Sequence, residues 1–261
     1  MTAAAAVSGL RWALHDGLAI TRRNLTRLMR QPQLIIFSTI QPVLFVLLFN
    51  YVFGGAIRVP GGDYTSYLMP GIFVQTVAFG ATQTAIGLAE DLNGGMIDRF
   101  RSLPMARSAV LVGRTLSDLA RNLFVIMLMT DVGFLLGFRR SGSWEAALGA
   151  FLLIALLGFA LSWLFVFVGL AAPSAETAQA MSFVVTFPLV FASSAFVPVQ
   201  TMPGWLQAIA KATPITNTVN AARALISGAP ATRPVLYSLA WALGMLTVFV
   251  PLAVARFRRP E

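Results

Sequence analysis

Cysteine is absent from the 261 residues, which excludes a disulfide, a thiolate metal site and a thiol nucleophile. The single histidine, His15, leaves no histidine-built metal cluster. Lysine also occurs once, at Lys211, and Ala210 precedes it. A phosphate-binding P-loop needs Gly-Lys followed by Ser or Thr so that the lysine reaches the β- and γ-phosphates. The chain therefore has no recognisable ATP site of its own, and any ATP-driven activity requires a partner. Neither H-E-x-x-H nor G-x-S-x-G occurs, so the metalloprotease and hydrolase motifs are missing too. No catalytic residue, metal ligand or cofactor site is expected in this chain. Charge is scarce as well: 11% of residues are Asp, Glu, Lys or Arg, where soluble domains carry about 25%.

What fills the sequence is apolar. Hydrophobic residues make up 57%, and six runs reach the length of about 20 residues that a helix needs to cross a bilayer. The expected fold is an all-α integral membrane protein in a single transmembrane domain, residues 1–261, with six transmembrane helices. The formal charge of +9 would suggest nucleic-acid binding in a soluble chain. Here the basic residues flank apolar runs, where they mark the cytoplasmic side, so no nucleic-acid partner is expected. Thr2 to Leu10 is too short for the apolar core of a signal peptide and no basic residue precedes it, so none is expected.

Residues 10–30 place Leu10, Leu14, Leu18, Leu25 and Leu28 at spacings of three, four or seven, with arginines mostly elsewhere on the wheel. This pattern predicts an N-terminal amphipathic helix lying in the interface, its arginines among lipid phosphates; an organellar transit peptide is the other composition of this kind. The spans are expected at 34–53, 68–89, 114–138, 144–170, 177–196 and 235–255. On the second, Gln75, Phe79 and Gln83 recur every four residues. Either these amides join membrane helices by hydrogen bonds or they line a substrate path. On the fifth, Phe183, Phe187 and Phe191 form a stripe that faces lipid, a neighbouring helix or a bound aromatic drug. Asp131 lies inside the third span, where an uncompensated charge costs roughly 2.5–3.5 kcal/mol and marks a functional candidate. Neutralisation, or pairing with Arg139 or Arg140, is the structural alternative. At the start of the same span, Arg114, Asp118 and Arg121 share one face and suit a small ion-pair network. Between Pro198 and Pro234, two apolar-faced segments too short to span, within 203–227, read as re-entrant or interfacial helices.

Counting Arg and Lys by side sets the orientation. With both termini inside, thirteen of the 19 basic residues are cytoplasmic and six, namely Arg58, Arg139, Arg140, Lys211, Arg223 and Arg233, are outside. The stretch from Glu90 to Arg121 then faces the cytoplasm. Asn93 suits a helix cap, Gly94-Gly95 lets the chain leave the span axis, and Pro104 stops the next helical segment. That segment, a helix of about two turns at 96–103, projects between two spans. Met96, Phe100 and Leu103 share a face, with Asp98, Arg99 and Arg101 largely elsewhere. An apolar anchor with a charged rim suits docking into a partner's groove; the alternative is a helix resting on lipid.

The loop NGGMIDRFRSLPMAR with Gly113-Arg114, and the late segment FVPVQTMPGWLQAIAKATPITNTVNAARAL, resemble the permease subunits of type 2 ATP-binding-cassette (ABC) exporters, especially the daunorubicin-resistance-like branch. Many relatives have Glu-Arg and Gly-Thr where this chain has Glu90-Asp91 and Gly94-Gly95. The resemblance implies an exporter permease in a bacterial plasma membrane, moving a hydrophobic or amphipathic drug, lipid or glycan precursor. It implies separate ABC ATPase subunits holding ATP and Mg, a second permease half (identical or different), and a path formed chiefly by spans 2 and 5. Met96, Asp98, Arg99, Phe100, Arg101 and Leu103 would be the ATPase-coupling helix, and the 203–227 pair the outer re-entrant helices. An ion-coupled secondary transporter using Asp131 and a non-transporting membrane scaffold are the rival readings.

Overall fold

The computed structural model describes residues 21, 26, 32–57, 59, 63–94 and 107–258. Eight α-helices occur among them: α1 Pro32–Leu47, α2 Tyr64–Asn93, α3 Arg107–Leu135, α4 Trp144–Ala171, α5 Ala175–Phe191, α6 Gly204–Ala212, α7 Pro214–Ser227 and α8 Thr232–Arg258. By length and apolar composition α2, α4 and most of α8 can each cross a membrane, while α5 and the Thr39–Phe53 segment are shorter apolar helices. The remaining long helix, α3, has 29 residues, but Arg114, Asp118, Arg121 and Asp131 dilute its apolar character.

Helix α2 is the centre. Asp63 starts it by accepting the Thr65 and Ser66 amide hydrogens at 3.1 and 3.2 Å, satisfying donors that a helix N-terminus leaves open. Of its 30 residues 21 are buried, and they lie around the whole helix, so neighbours surround it. Close approach explains how. A Cβ on Gly158 would lie 3.1 Å from Val77, and one on Gly169 only 2.7 Å from the Ala85 carbonyl oxygen. Those contacts let α4 run alongside α2 in the same direction. Association between membrane helices depends on such backbone approach, since lipid is as apolar as leucine. A Cβ on Gly71 would lie 2.0 Å from the Ala195 carbonyl oxygen, so the chain after α5 crosses α2 at its other end.

Several helix bounds differ from those expected, each for a visible reason. The segment expected as the first span is α-helical to Leu47 and continues as a π-helix over Leu48–Phe53. The second is longer at both ends than 68–89. The third ends at Leu135, short of Phe138, because Gly137 takes φ +95°; the Phe138 N–H then reaches the Gly133 carbonyl and the Gly137 N–H that of Phe134, a Schellman stop. The fifth ends at Phe191 instead of 196. Beyond it the backbone has tertiary partners: the Ser194 N–H donates to Thr216 Oγ1 and Arg223 donates to the Ser194 and Ala195 carbonyls.

The short helices α6 and α7 lie within residues 203–227. Thr213 Oγ1 accepts from the Thr216 amide to start α7, and Gly228 at φ +75° closes it. At 14 residues α7 is about 21 Å long, less than the ≈ 30 Å of a bilayer core. Its buried side, Ile215, Val219, Ala222 and Ile226, joins the main core. The Ile226 carbonyl accepts the Ser141 and Gly142 amide hydrogens, so the α3–α4 loop sits on the end of α7. A smaller core of Leu88, Leu111, Trp163, Val166, Ala253 and Phe257 lies towards the opposite end, where α2 ends and α3 begins.

Candidate functional site

The six residues expected to engage an ATPase, Met96, Asp98, Arg99, Phe100, Arg101 and Leu103, lie outside the described residues, as does nearly all of the 10–30 helix. Thr21 is described and packs on α3, its hydroxyl donating to the Gly113 carbonyl at 3.1 Å. The roots of the connection 95–106 are also in view. On α2, Gly80, Thr84, Gly87 and Asp91 recur at steps of four, three and four, which is one face of a helix. Opposite them on antiparallel α3 stand Asn122, Arg121, Asp118 and Arg114. Arg114 Nη1 donates to Asp91 Oδ2 at 2.7 Å. Asp118 accepts from Thr84 Oγ1 at 2.6 Å and pairs with Arg121 at 3.2 Å. Arg121 Nη2 also donates to the Gly80 carbonyl at 2.6 Å.

The glycines make room for this seam. A Cβ on Gly87 would lie 1.6 Å from Arg114 Nη2, and one on Gly80 2.2 Å from Asn122 Oδ1. The ion-pair face expected on α3 is therefore real in part: Asp118 and Arg121 pair within it, but Arg114 crosses to α2. Sequence reasoning left Asp91, Gly80, Thr84 and Gly87 unassigned. Their four-three-four spacing, matched by four-three for Arg114, Asp118 and Arg121, is the signal that could have found them.

Gln75, Phe79 and Gln83 do line one cavity, of about 70 Å³, between α1, α2 and α3, together with Gln41, Arg121 and Asn122. Gln75 is buried, and its Oε1, like Asn122 Nδ2, has no hydrogen-bond partner among the described residues. Ligand pockets for drug-sized molecules measure about 300–1,000 Å³. In this conformation the space suits a few waters, which would satisfy both amides.

The phenylalanine stripe lies elsewhere. Phe183 and Phe187 are 54% and 43% exposed, whereas Ser182 and Thr186 on the other side of α5 are buried, their hydroxyls without partners among the described residues. Stacked rings run from Phe183 through Phe187 and Phe191 to Phe196 and Phe49, with centroid separations of 5.2, 4.3, 5.2 and 4.4 Å. None of the three expected stripe residues lines the glutamine cavity. Phe191 anchors an aromatic ladder to the Leu48–Phe53 segment that follows α1, and Phe183 and Phe187 remain open.

Asp131 is exposed on α3 and has no ion pair among the described residues. Arg139 donates to the Phe134 and Phe138 carbonyls. Arg140 donates to the Gly142 carbonyl and sits 4.9 Å from the Trp144 ring centroid. The alternative pairing of Asp131 with either arginine is thus absent, because both reach the helix end and the loop instead.

At the far end, Arg223 joins three elements. It donates from Nε to the Tyr67 carbonyl at 2.8 Å and from Nη2 to those of Ser194 and Ala195 at 2.7 and 3.0 Å. Its guanidinium also lies 3.5 Å from the Tyr67 ring centroid, a cation–π geometry. Burial lowers its pKa to about 10, against the opposing influence of the Tyr67 and Tyr64 hydroxyls, so it is charged at neutral pH.

A family described as ABC-2 type transporter matches residues 16–226. A daunorubicin resistance ABC transporter permease of Streptomyces coeruleorubidus is 36% identical over 257 residues, covering 96% of this chain and 90% of its own. A probable doxorubicin resistance ABC transporter permease of Mycobacterium tuberculosis is 29% identical, covering 92% and 87%. A putative transport permease of Cyanophora paradoxa is 26% identical, covering 82% and 75%.

Proposed function

Because the chain belongs to the ABC-2 type transporter family, as a non-catalytic membrane permease, we infer that it forms half of an exporter for hydrophobic or amphipathic drugs in a bacterial plasma membrane. The observation that carries this reading is the 36% identity to a daunorubicin resistance permease along 96% of the chain. Six spans leave both termini in the cytoplasm, α3 and the α1 segment serving as spans beside α2, α4, α5 and α8. Separate ABC ATPase subunits supply ATP and Mg, and a second permease half, identical or different, completes the path.

Residues 96–103 dock in a groove of the ATPase. The seam between α2 and α3 supports that role, since Asp91 and Arg114 tie together the two helices that enter and leave this connection. A push on the connection then moves both as one body. The closed glutamine cavity of about 70 Å³ widens when α1 and α3 part, exposing Gln75, Phe79 and Gln83 to substrate. The open side of α5, with Phe183 and Phe187, turns towards the second half. Membership of an ABC family favours the ATP-driven reading over an Asp131-driven secondary transporter.

The test is drug transport in vesicles holding the permease with its ATPase. Phe100→Ala and Arg99→Glu are each expected to uncouple ATP hydrolysis from transport while the permease remains inserted. Wild-type transport in both variants would sink the docking role.

A further inference from the structure

A second, larger cavity of about 470 Å³ lies at the Arg223 end, lined by Asp63, Ser66, Tyr67, Pro70, Phe138, Arg139, Ser141, Arg223, Ile226 and Ser227. It shares no residue with the glutamine cavity, and its size falls in the range of small-molecule sites. We propose that it binds the phosphate-bearing headgroup of an anionic phospholipid.

Charge comes first. Arg139 and Arg223 reach the cavity from different elements, and neither meets a carboxylate among the described residues. Their hydrogen-bond acceptors are carbonyls and the Asn220 amide oxygen, which carry no formal charge. The acid that lines the same space, Asp63, is engaged by the Thr65 and Ser66 amides at the start of α2. Two cations therefore face one carboxylate that already serves a helix N-terminus, and an excess of positive charge remains.

Order comes second. Arg223 is fixed by Nε, Nη2 and the Tyr67 ring, while among the described residues Nη1 has only a long 3.5 Å contact to Asn220. That leaves donor capacity on a guanidinium already held in place, and guanidinium geometry suits phosphate oxygens. Ser141 and Ser227 add hydroxyls beside it. Pro70, Phe138 and Ile226 supply apolar wall, so an ion on an apolar tail fits better than a free ion. The position agrees with the outer side of the proposed topology. Binding itself rests only on membrane insertion, so failure of the ATPase docking reading leaves this site standing.

The experiment uses the purified permease with its ATPase in nanodiscs of phosphatidylcholine, titrated with fluorescent phosphatidylglycerol. Wild type is expected to enrich phosphatidylglycerol around itself. Arg139→Gln removes one cation at an exposed position and is expected to weaken that binding about fivefold, the effect of roughly one surface arginine. Arg139→Lys should restore most of it. Equal enrichment in wild type and Arg139→Gln overturns the site. Displacement of the lipid by inorganic phosphate overturns the lipid as its occupant and identifies a free anion instead. Arg223→Gln, if it still assembles with the ATPase, should weaken binding further, and unchanged binding in that variant also counts against the proposal.

Discussion

Asp91 and Arg114 occupy the roots of the two helices that flank residues 95–106, and their 2.7 Å contact is only partly open to solvent, at 17% side-chain exposure for Arg114 and 8% for Asp91. Hydrogen bonds between charged groups in such settings contribute about 1.5–3 kcal/mol. Asp91→Asn is expected to lower the thermal midpoint of the detergent-solubilised protein by several degrees. Gly87→Ala should do the same by a different route, since its Cβ would displace the Arg114 guanidinium. Both changes break one interaction, so the double variant should lose little more than the worse single one. Additive losses would show that Gly87 acts independently of the pair. The two arginines at the other end differ in kind: Arg223 carries structure through three backbone carbonyls, whereas Arg139 is exposed and can be changed with little effect on folding.

Among the elements, α5 has two faces with opposite meanings. Ala178, Ser182, Thr186 and Val190 are buried, and the hydroxyls of Ser182 and Thr186 have no partner among the described residues. A buried hydroxyl left unsatisfied costs stability through its lost hydration, so replacing it by an apolar group of similar shape is close to neutral or stabilising. Ser182→Ala and Thr186→Val should therefore leave the thermal midpoint unchanged or raise it. A clear fall would mean that water or another group satisfies them. The open face, Phe183, Val184 and Phe187, should show the reverse pattern: Phe187→Ala is expected to spare folding and reduce drug transport, measured in the same vesicles. Helix α2 tolerates less, because Gly71→Ala would drive a Cβ into the Ala195 carbonyl and separate α2 from the segment after α5.

At the scale of the molecule, the absence of cysteine offers a direct check of orientation. Single cysteines placed at Ser227 and at Asn93 lie at opposite ends of the bundle, since Ser227 closes α7 and Asn93 ends α2. A membrane-impermeant maleimide is expected to label Ser227→Cys in intact cells and Asn93→Cys only after permeabilisation. The reverse pattern would invert the topology and place residues 96–103 out of reach of any cytoplasmic ATPase.

The sequence alone determined that this is a helical membrane protein without its own ATP site, because apolar run length and missing motif residues are local properties of the chain. It also located the two short helices α6 and α7, since Pro203, Pro214 and Gly228 punctuate them whatever the surroundings. Tertiary structure decided where α5 stops, because the carbonyls and amides beyond Phe191 have partners on α7 that are distant in sequence. It likewise decided that Arg114 pairs with Asp91 across two helices. It separated Gln75, Phe79 and Gln83 from the phenylalanine stripe, although both patterns look alike as four-residue repeats. Periodicity specifies which residues share a face of a helix; only packing specifies what that face meets.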